Sequence, residues 1–337
     1  MLSFIPYPEW LKPELIPGFP FLRWYGLMYL IAFGITYMLV KAQVKDQGLA
    51  IAKEDVLNLF FWGIVGLLVG ARFFAVTIYD QNGFFLRNPL QAILPFSWLG
   101  GQCTFTGFQG MSYHGGLLGG TVAIVIYCKV KRFEVLALGD MILAGTPLGY
   151  FFGRLGNFIN AELYGRITTA PWGMVFPQAE QVPVAEPWVK DIADKIGMDV
   201  AGLEMVNLPR HPSQLYEAFF EGIFLWLILW FIVRKHSPFR GFLVGCYIIG
   251  YGVVRFFIEY TRQPDVGIDF PIRLVDVQNP GYVFLSPWNF TTGQILCFIM
   301  ILGGIASMVV FKNLARKREL QTPAAHQNLK KLRKRTK

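Results

Sequence analysis

The chain carries charged and polar residues inside runs that are otherwise apolar, and these are the residues able to do chemistry. The segment GYFFGRLGNFINAELYGR places Arg154, Asn157, Asn160, Glu162 and Arg166 within thirteen residues. On a helix Arg154 and Asn157 share a face, and Gly153 and Gly156 remove bulk beside them, so a second helix or a lipid headgroup can approach closely. A second run, IGYGVVRFFIEYTRQPD, sets Tyr251, Arg255 and Glu259 at successive i, i+4 spacings with Arg262 a further turn along, in one polar stripe. A third, LPRHPSQLYEAFFEG, holds Arg210, His211, Gln214, Tyr216, Glu217 and Glu221. Pro212 suits the first turn of a helix there, with Ser213 or His211 as its cap, and Glu217 and Glu221 need partners for which the arginines are candidates. In the fourth, FQGMSYHGGLLGG, His114 follows Tyr113 and precedes a series of glycines; its imidazole can accept a proton near neutral pH. Tyr25 lies in FLRWYGLMYL, and Arg72 and Tyr79 in LLVGARFFAVTIYD, where a mid-helix Arg72 demands a cavity or a carboxylate.

Each of these has a purely structural alternative. Arg154 and Glu162 could neutralise one another, Arg255 and Glu259 could form a self-compensating pair, and Arg262 could extend to the membrane edge. His211 at a helix start and His114 beside glycines could be hydrogen-bonded structural groups. Taken together, however, the residues make a site rich in arginine, with amides, tyrosines and one candidate base, and fixed guanidinium groups suit phosphate best. No HExxH, Walker loop or GxSxG motif is present. Cys103, Cys128, Cys246 and Cys297 are too widely spaced for a paired-cysteine metal site, and no structural disulfide is expected. No metal and no cofactor is implied. The chemistry read from the residues is recognition of an anionic phospholipid headgroup, with acid or base work beside it.

The elements that hold these groups must lie in lipid. Of 337 residues 54% are hydrophobic and only 16% charged, and the mean hydropathy is +0.42. A net charge of +9 would suit a nucleic-acid partner, but ten of the 31 lysines and arginines fall between Lys312 and Lys337, so no nucleic acid is expected. The expected fold is an all-α polytopic membrane protein, a bundle of seven transmembrane helices over 21–42, 57–79, 114–130, 135–159, 213–234, 241–260 and 291–312. The runs are long and continuously apolar, whereas barrel strands alternate over about ten residues. Lys41, Lys45, Lys53, Lys129, Lys131, Arg132, Arg234, Lys235 and Arg240 flank alternate connections, which puts the N-terminus outside and the C-terminus in the cytoplasm. Residues 1–20 read as an interfacial segment without the features of a signal peptide. Residues 21–312 form the helical catalytic domain, 161–212 a small folded outer-side (periplasmic) cap, and 313–337 a basic cytoplasmic tail, disordered or lying on anionic headgroups. No internal repeat is visible, which weakens an inverted-repeat transporter.

The run from Gly153 to Arg166 closely resembles the signature of bacterial prolipoprotein diacylglyceryl transferases. The resemblance extends to RWYGLMYL, GAR, the HGG segment at His114, RHPSQLYE and the segment from Tyr251 to RQPD, in the family's order over roughly 20–310. It implies a multi-pass, seven-helix enzyme of the bacterial inner (cytoplasmic) membrane. Such an enzyme moves the diacylglyceryl group of phosphatidylglycerol onto the lipobox cysteine of a preprolipoprotein signal peptide, the first step of lipoprotein maturation. Its partners are that membrane lipid and that peptide. The nucleophile arrives on the substrate, so the enzyme needs no cysteine of its own. By the resemblance Arg154 and Arg255 clamp the phosphate, Asn157 and Glu162 orient the headgroup, and His114 is the candidate base, although a phosphate oxygen or water could take the proton. Tyr25, Tyr251, Glu259 and Arg262 complete the lipid site, with Arg72, His211, Gln214 and Glu217 supporting it. Ala75 stands where some members carry a tyrosine, and nothing carries over to 167–209 or to YVFLSPWNF. The competing reading is an anion or lipid transporter without covalent chemistry.

Overall fold

The computed structural model describes residues 4–16, 18, 22–80, 83–94, 96–97, 103–105, 111–263, 270–276, 283 and 286–321. The principal helices are α1 (Trp24–Asp46), α2 (Lys53–Thr77), α3 (Tyr113–Val130), α4 (Val135–Ile159), α5 (Pro187–Ile196), α6 (Ser213–His236), α7 (Phe242–Thr261) and α8 (Thr292–Gln321). Among the described residues six helices are long and apolar enough to cross a membrane: α1, α2, α4, α6, α7 and α8. The chain is therefore a multi-pass helical membrane protein. The third expected span does form a helix, α3, but it is not among the six. It has only 18 residues and carries His114, four glycines and Lys129, which dilute its apolar character.

Two boundaries shift for local reasons. α2 begins at Lys53 rather than 57, because Glu54 and Asp55 in its first turn complement the positive end of the helix dipole. α8 continues past 312 to Gln321, against the expectation of disorder from Asn313 onward. NLARKRELQ consists largely of good helix formers and needs only to propagate an existing helix, not to nucleate one. The remainder of the tail, 322–337, lies outside the described residues, as do 1–3, 17 and 19–20 of the N-terminal segment.

The chain forms two compact units, Val40–Leu138 and the pair of segments Met1–Leu39 and Gly139–Lys337, so that α1 and α4 each run from one into the other. In the Val40–Leu138 unit, α2 and α3 touch backbone to backbone. Gly66 and Gly70 on α2 face Gly119 and Gly115 on α3, and a methyl group on any of the four would overlap a carbonyl oxygen of its opposite number. Apolar attraction between helices is weak when lipid is the solvent, so close van der Waals contact across small residues holds such pairs together. Ser112 caps α3 by accepting from the Gly115 amide at 3.1 Å. At the other end, Asp55 accepts from Lys131 at 2.8 Å and from the Tyr127 hydroxyl at 3.1 Å.

In the other unit α4 is the central helix. Gly149 meets Thr36 of α1, Gly156 meets Tyr25, and Gly222 of α6 lies against Phe151. Ala144, Leu225, Leu229 and Leu243 form the apolar core between α4, α6 and α7. Asp140 on α4 accepts from the amides of Gly241 at 2.7 Å and Val244 at 2.9 Å, capping α7 from a neighbouring helix. The outward faces stay apolar; Leu296, Phe298, Ile299, Leu302, Ile305 and Val309 of α8 are all exposed, as a lipid-facing helix requires.

The connection from 161 to 212 is folded. Val182–Pro183 pairs with Met205–Val206, and α5 packs Val189 and Ile196 onto Val182, Val206 and Leu208. The N-terminal segment joins it: Ile5–Pro6 pairs in parallel with Met174–Val175, and the Tyr7 hydroxyl donates to the Phe158 and Ile159 carbonyls at 2.9 and 3.0 Å, satisfying the end of α4.

The glycine contact between α2 and α3 generates a paired test. A methyl at Gly119 has nowhere to go, whereas one at Gly120 would rest in ordinary contact, 3.4 Å from the Gly63 oxygen. Gly119→Ala is expected to lower the melting temperature in detergent, at an overpacking cost of about 1–3 kcal/mol. Gly120→Ala should leave it unchanged or raise it, since Ala favours a helix over Gly by roughly 0.5–1 kcal/mol. Equal melting temperatures for the two variants would contradict the backbone contact.

Candidate functional site

Three chain segments in the unit built on α4 converge because a short strap ties them. After α4 ends at Ile159, Ala161 and Leu163 take left-handed backbone angles, φ +52° and +56°, which fold the chain back so that Glu162 reaches Asn157. The strap follows. The Gly165 amide donates to the His211 carbonyl at 2.8 Å and the Arg166 amide to the Thr261 carbonyl at 2.9 Å. One extended segment thus pins the start of α6 on one side and the end of α7 on the other. Gly165 is required for the close approach: a Cβ there would overlap the Thr261 oxygen and sit 2.8 Å from the His211 Cβ.

The side chains then meet on one carboxylate. Glu217 Oε2 lies 2.9 Å from Arg154 Nε and 2.8 Å from Arg255 Nη1, while Oε1 lies 3.1 Å from Arg262 Nη1. The Tyr150 hydroxyl donates to the same Oε2 at 3.3 Å. Arg255 also reaches Glu221 at 3.5 Å and, through Nη2, Glu259 at 3.2 Å. Arg262 Nε is 3.6 Å from Glu259, which accepts from Thr291 at 3.2 Å. Three guanidinium groups thus face the three carboxylates Glu217, Glu221 and Glu259. The side chains of Glu217 and Glu221 are 0% exposed, whereas those of the arginines keep 15–17%. The negative charge is sealed inside and the edges of the positive groups are reachable. Among the described residues Nη2 of Arg154 and Nη2 of Arg262 make no hydrogen bond.

The second arm of Arg154 leads to the amides. Its Nη1 donates to Asn157 Oδ1 at 3.1 Å, and Asn157 Nδ2 donates to Glu162 Oε1 at 2.8 Å. Asn160 adds a longer bond to Glu162, 3.4 Å, and the buried Gln214 donates to the Glu162 carbonyl at 2.7 Å.

Most residues expected from the sequence meet here: Arg154, Arg255, Arg262, Asn157, Glu162, Glu217, Glu259 and Gln214. Tyr25 packs on Gly156 and pairs its hydroxyl with Tyr29 at 3.1 Å; Tyr251 sets its ring edge-on to Tyr150, with centroids 5.9 Å apart. Several local expectations change. Arg154 and Glu162 do not pair directly; Asn157 joins them. Arg262 does not stand free at the helix end but turns to Glu217 and Glu259. Ser213 does not cap α6; its hydroxyl donates to the Leu163 carbonyl at 3.1 Å, tightening the strap. α6 is not a regular α-helix past Glu217: Ala218–Phe224 and Ile228–Ile232 wind with wider i→i+5 bonding, a form often found beside functional groups. Sequence reasoning missed Tyr150, whose one signal is its position four residues before Arg154.

His114 and Arg72 belong to the Val40–Leu138 unit. His114 is exposed and its Nδ1 lies 3.2 Å from the Tyr79 hydroxyl. The Arg72 guanidinium donates to the Ala92 carbonyl at 2.7 Å and to the Gln91 carbonyl, and stacks on Phe85. His211 points its Nδ1 at the Tyr216 hydroxyl, 3.2 Å away, and Tyr216 also accepts from Trp172 at 2.7 Å. Burial, reinforced by the Arg166 charge, pulls the His211 imidazole down from 6.5 to about 4. Burial likewise pushes Tyr7 up to about 12.

Six apolar helices among the described residues and a cluster of partly exposed guanidinium groups define a multi-pass membrane protein with a polar site among its helices. The chain belongs to the prolipoprotein diacylglyceryl transferase family: the family model of that description matches residues 15–310. It is 52% identical over 323 residues to the phosphatidylglycerol–prolipoprotein diacylglyceryl transferase of Treponema denticola, covering 92% of this chain and 95% of that protein. The protein of the same name from Treponema pallidum is 47% identical over 320 residues, covering 91% and 95%. That of Chlorobaculum tepidum is 41% identical over 294 residues, covering 87% of each.

The neutral His211 makes stability depend on pH. Its folded value, about 4, lies below the unfolded 6.5, so between them the unfolded chain binds more protons. The contribution is complete above about pH 6.5 and is lost as pH falls toward 4. The melting-temperature difference between wild type and His211→Gln should therefore shrink as pH is lowered through this window. A difference independent of pH would contradict the burial of a neutral imidazole.

Proposed function

We propose that this protein transfers the diacylglyceryl group of phosphatidylglycerol to the thiol of the lipobox cysteine in a preprolipoprotein, at the bacterial cytoplasmic membrane. The observation that carries the reading is the arginine cluster whose carboxylates are sealed and whose guanidinium edges are open. The cysteine sulfur attacks the glyceryl carbon that bears the phosphate ester. As the C–S bond forms, the C–O bond breaks and its electron pair passes to the phosphate oxygen. A phosphodiester with one negative charge becomes glycerol phosphate, a monoester with two. A guanidinium cluster favours the product side of that change, so it stabilises the transition state more than the bound lipid.

Arg154 and Arg255 take the phosphate, and Arg262, Glu259, Tyr25 and Tyr251 complete its surroundings. Asn157 and Glu162 orient the glycerol hydroxyls, being an amide and a carboxylate already joined to Arg154 by hydrogen bonds. Glu217, Gln214 and His211 support the frame, and Arg72 supports its own unit. A free thiol titrates near about 8.5 and must lose its proton to react; His114, exposed and paired with Tyr79, is the proposed base.

The same reading makes α3 a seventh crossing. At about 1.5 Å per residue its 18 residues span roughly the hydrocarbon core. An odd number of crossings separates the termini, and the lysines and arginines of alternate connections put the N-terminus and the 161–212 cap outside and the C-terminus inside.

The test is to incubate the purified protein with phosphatidylglycerol and a lipobox peptide. The peptide should gain the mass of a diacylglyceryl group, and a peptide with Ser in place of its cysteine should gain nothing. Arg154→Ala and Arg255→Ala, folded, should each turn over at under about 1% of wild type, a loss of several kcal/mol in transition-state stabilisation. No mass gain by a folded wild-type sample would overturn the transferase reading. Near-normal rates in the variants would overturn the phosphate assignment.

A further inference from the structure

Tyr150 lies at the base of the site and belongs to none of the roles given above. It is one helical turn before Arg154 on α4, so its ring lies beneath that side chain: the Arg154 guanidinium carbon is 4.8 Å from the ring centroid. Its hydroxyl accepts from Arg154 Nε at 2.6 Å and donates to Glu217 Oε2 at 3.3 Å. Arg154 Nε is also 2.9 Å from that oxygen, so three polar atoms close a triangle. The Tyr150 ring is itself packed, with Tyr251 edge-on to it and the centroids 5.9 Å apart.

The triangle has a geometric consequence. A guanidinium is planar, so fixing Nε and supporting one face sets the direction of both terminal nitrogens. Nη1 is taken by Asn157 at 3.1 Å. Nη2 is left as the open donor, its direction set by the contacts at Nε and Nη1 and by the Tyr150 ring. Without the hydroxyl, Arg154 would keep its charge, its attraction to Glu217 and its bond to Asn157, but Nε would lose its shortest hydrogen bond and the plane would be held less tightly.

We infer that Tyr150 is a positioning residue for the transfer reaction: its hydroxyl fixes the plane of Arg154 so that Nη2 meets the phosphate as its second charge develops. This rests on the transferase reading. It concerns orientation and not charge, so it bears on turnover more than on lipid binding. A donor aimed correctly only when the phosphate oxygen is departing acts on the transition state, and misalignment of a fixed group there costs more than it does in the bound ground state.

The experiment compares wild type with Tyr150→Phe, which keeps the ring and removes only the hydroxyl, and with Tyr150→Leu, which removes both. For each, kcat and KM for phosphatidylglycerol with a lipobox peptide are measured beside the melting temperature. Tyr150→Phe is expected to keep its melting temperature and a KM within about twofold, with kcat reduced about fivefold or more; Tyr150→Leu should lose more kcat still. A Phe variant with kcat within twofold of wild type overturns the proposal. So does a loss of kcat that accompanies a fall of the melting temperature, which would assign the hydroxyl to the fold. A wild-type control that forms no product overturns the transferase reading and this inference together, whereas an active control with an indifferent Phe variant overturns this inference alone.

Discussion

Removing a carboxylate from water is costly, and Glu217 is removed completely, with its side chain 0% exposed. It is tolerated because three guanidinium groups from two other helices meet it: Arg154 from α4, and Arg255 and Arg262 from α7 and its end. The dependence is mutual. Three arginines in an apolar bundle would repel one another without an anion between them, and a carboxylate buried there without a cation would be costly. The positions of α4, α6 and α7 are thereby set by a single charge balance, and the rest of the unit serves it. Gly222 lets α6 lie against Phe151, the wide winding past Glu217 accommodates Glu221 on the same side, and Gly165 lets the strap tie Thr261 to His211.

This balance also explains how an arginine cluster can exist before any lipid arrives. The buried carboxylates neutralise it from behind, so the donors toward the open side are oriented but not fully engaged. Under the proposed function, an arriving phosphate would meet preorganised groups rather than solvated, mobile ones, and little reorganisation would be needed as its charge grows. The amide chain from Arg154 through Asn157 to Glu162 extends the same rigidity toward groups suited to hydroxyl ligands.

Much of this was legible from residue type and spacing. Apolar run length gave the helices, and charge inside those runs gave nearly all the members of the cluster, because lipid makes an idle arginine too costly to keep. What the sequence left open was direction. Arg262 lies close enough to a helix end to reach solvent, and only the fold of the strap turns it toward Glu217. Glu217 reads as one of two carboxylates in search of a partner, and its place at the centre depends on three helices separated by up to a hundred residues. Tyr150 is an aromatic residue in an aromatic run, indistinguishable from Phe151 and Phe152 until its hydroxyl is placed. Asp140 caps a helix a hundred positions away, a contact without local signature. The helix across 313–321 was hidden by its charge, since charge density suggests disorder while the same residues favour helix.

The central claim is that geometry, and not charge alone, makes the cluster a phosphate site. Arg255 bridges Glu217 through one terminal nitrogen and Glu259 through the other, a span that a lysine ammonium cannot reproduce although it keeps the charge. Turnover of Arg255→Lys, measured on folded protein with phosphatidylglycerol and a lipobox peptide, tests this most directly. The account predicts a rate below about 1% of wild type, on the scale of losing a preorganised charge-stabilising contact; a rate within about threefold of wild type would contradict it.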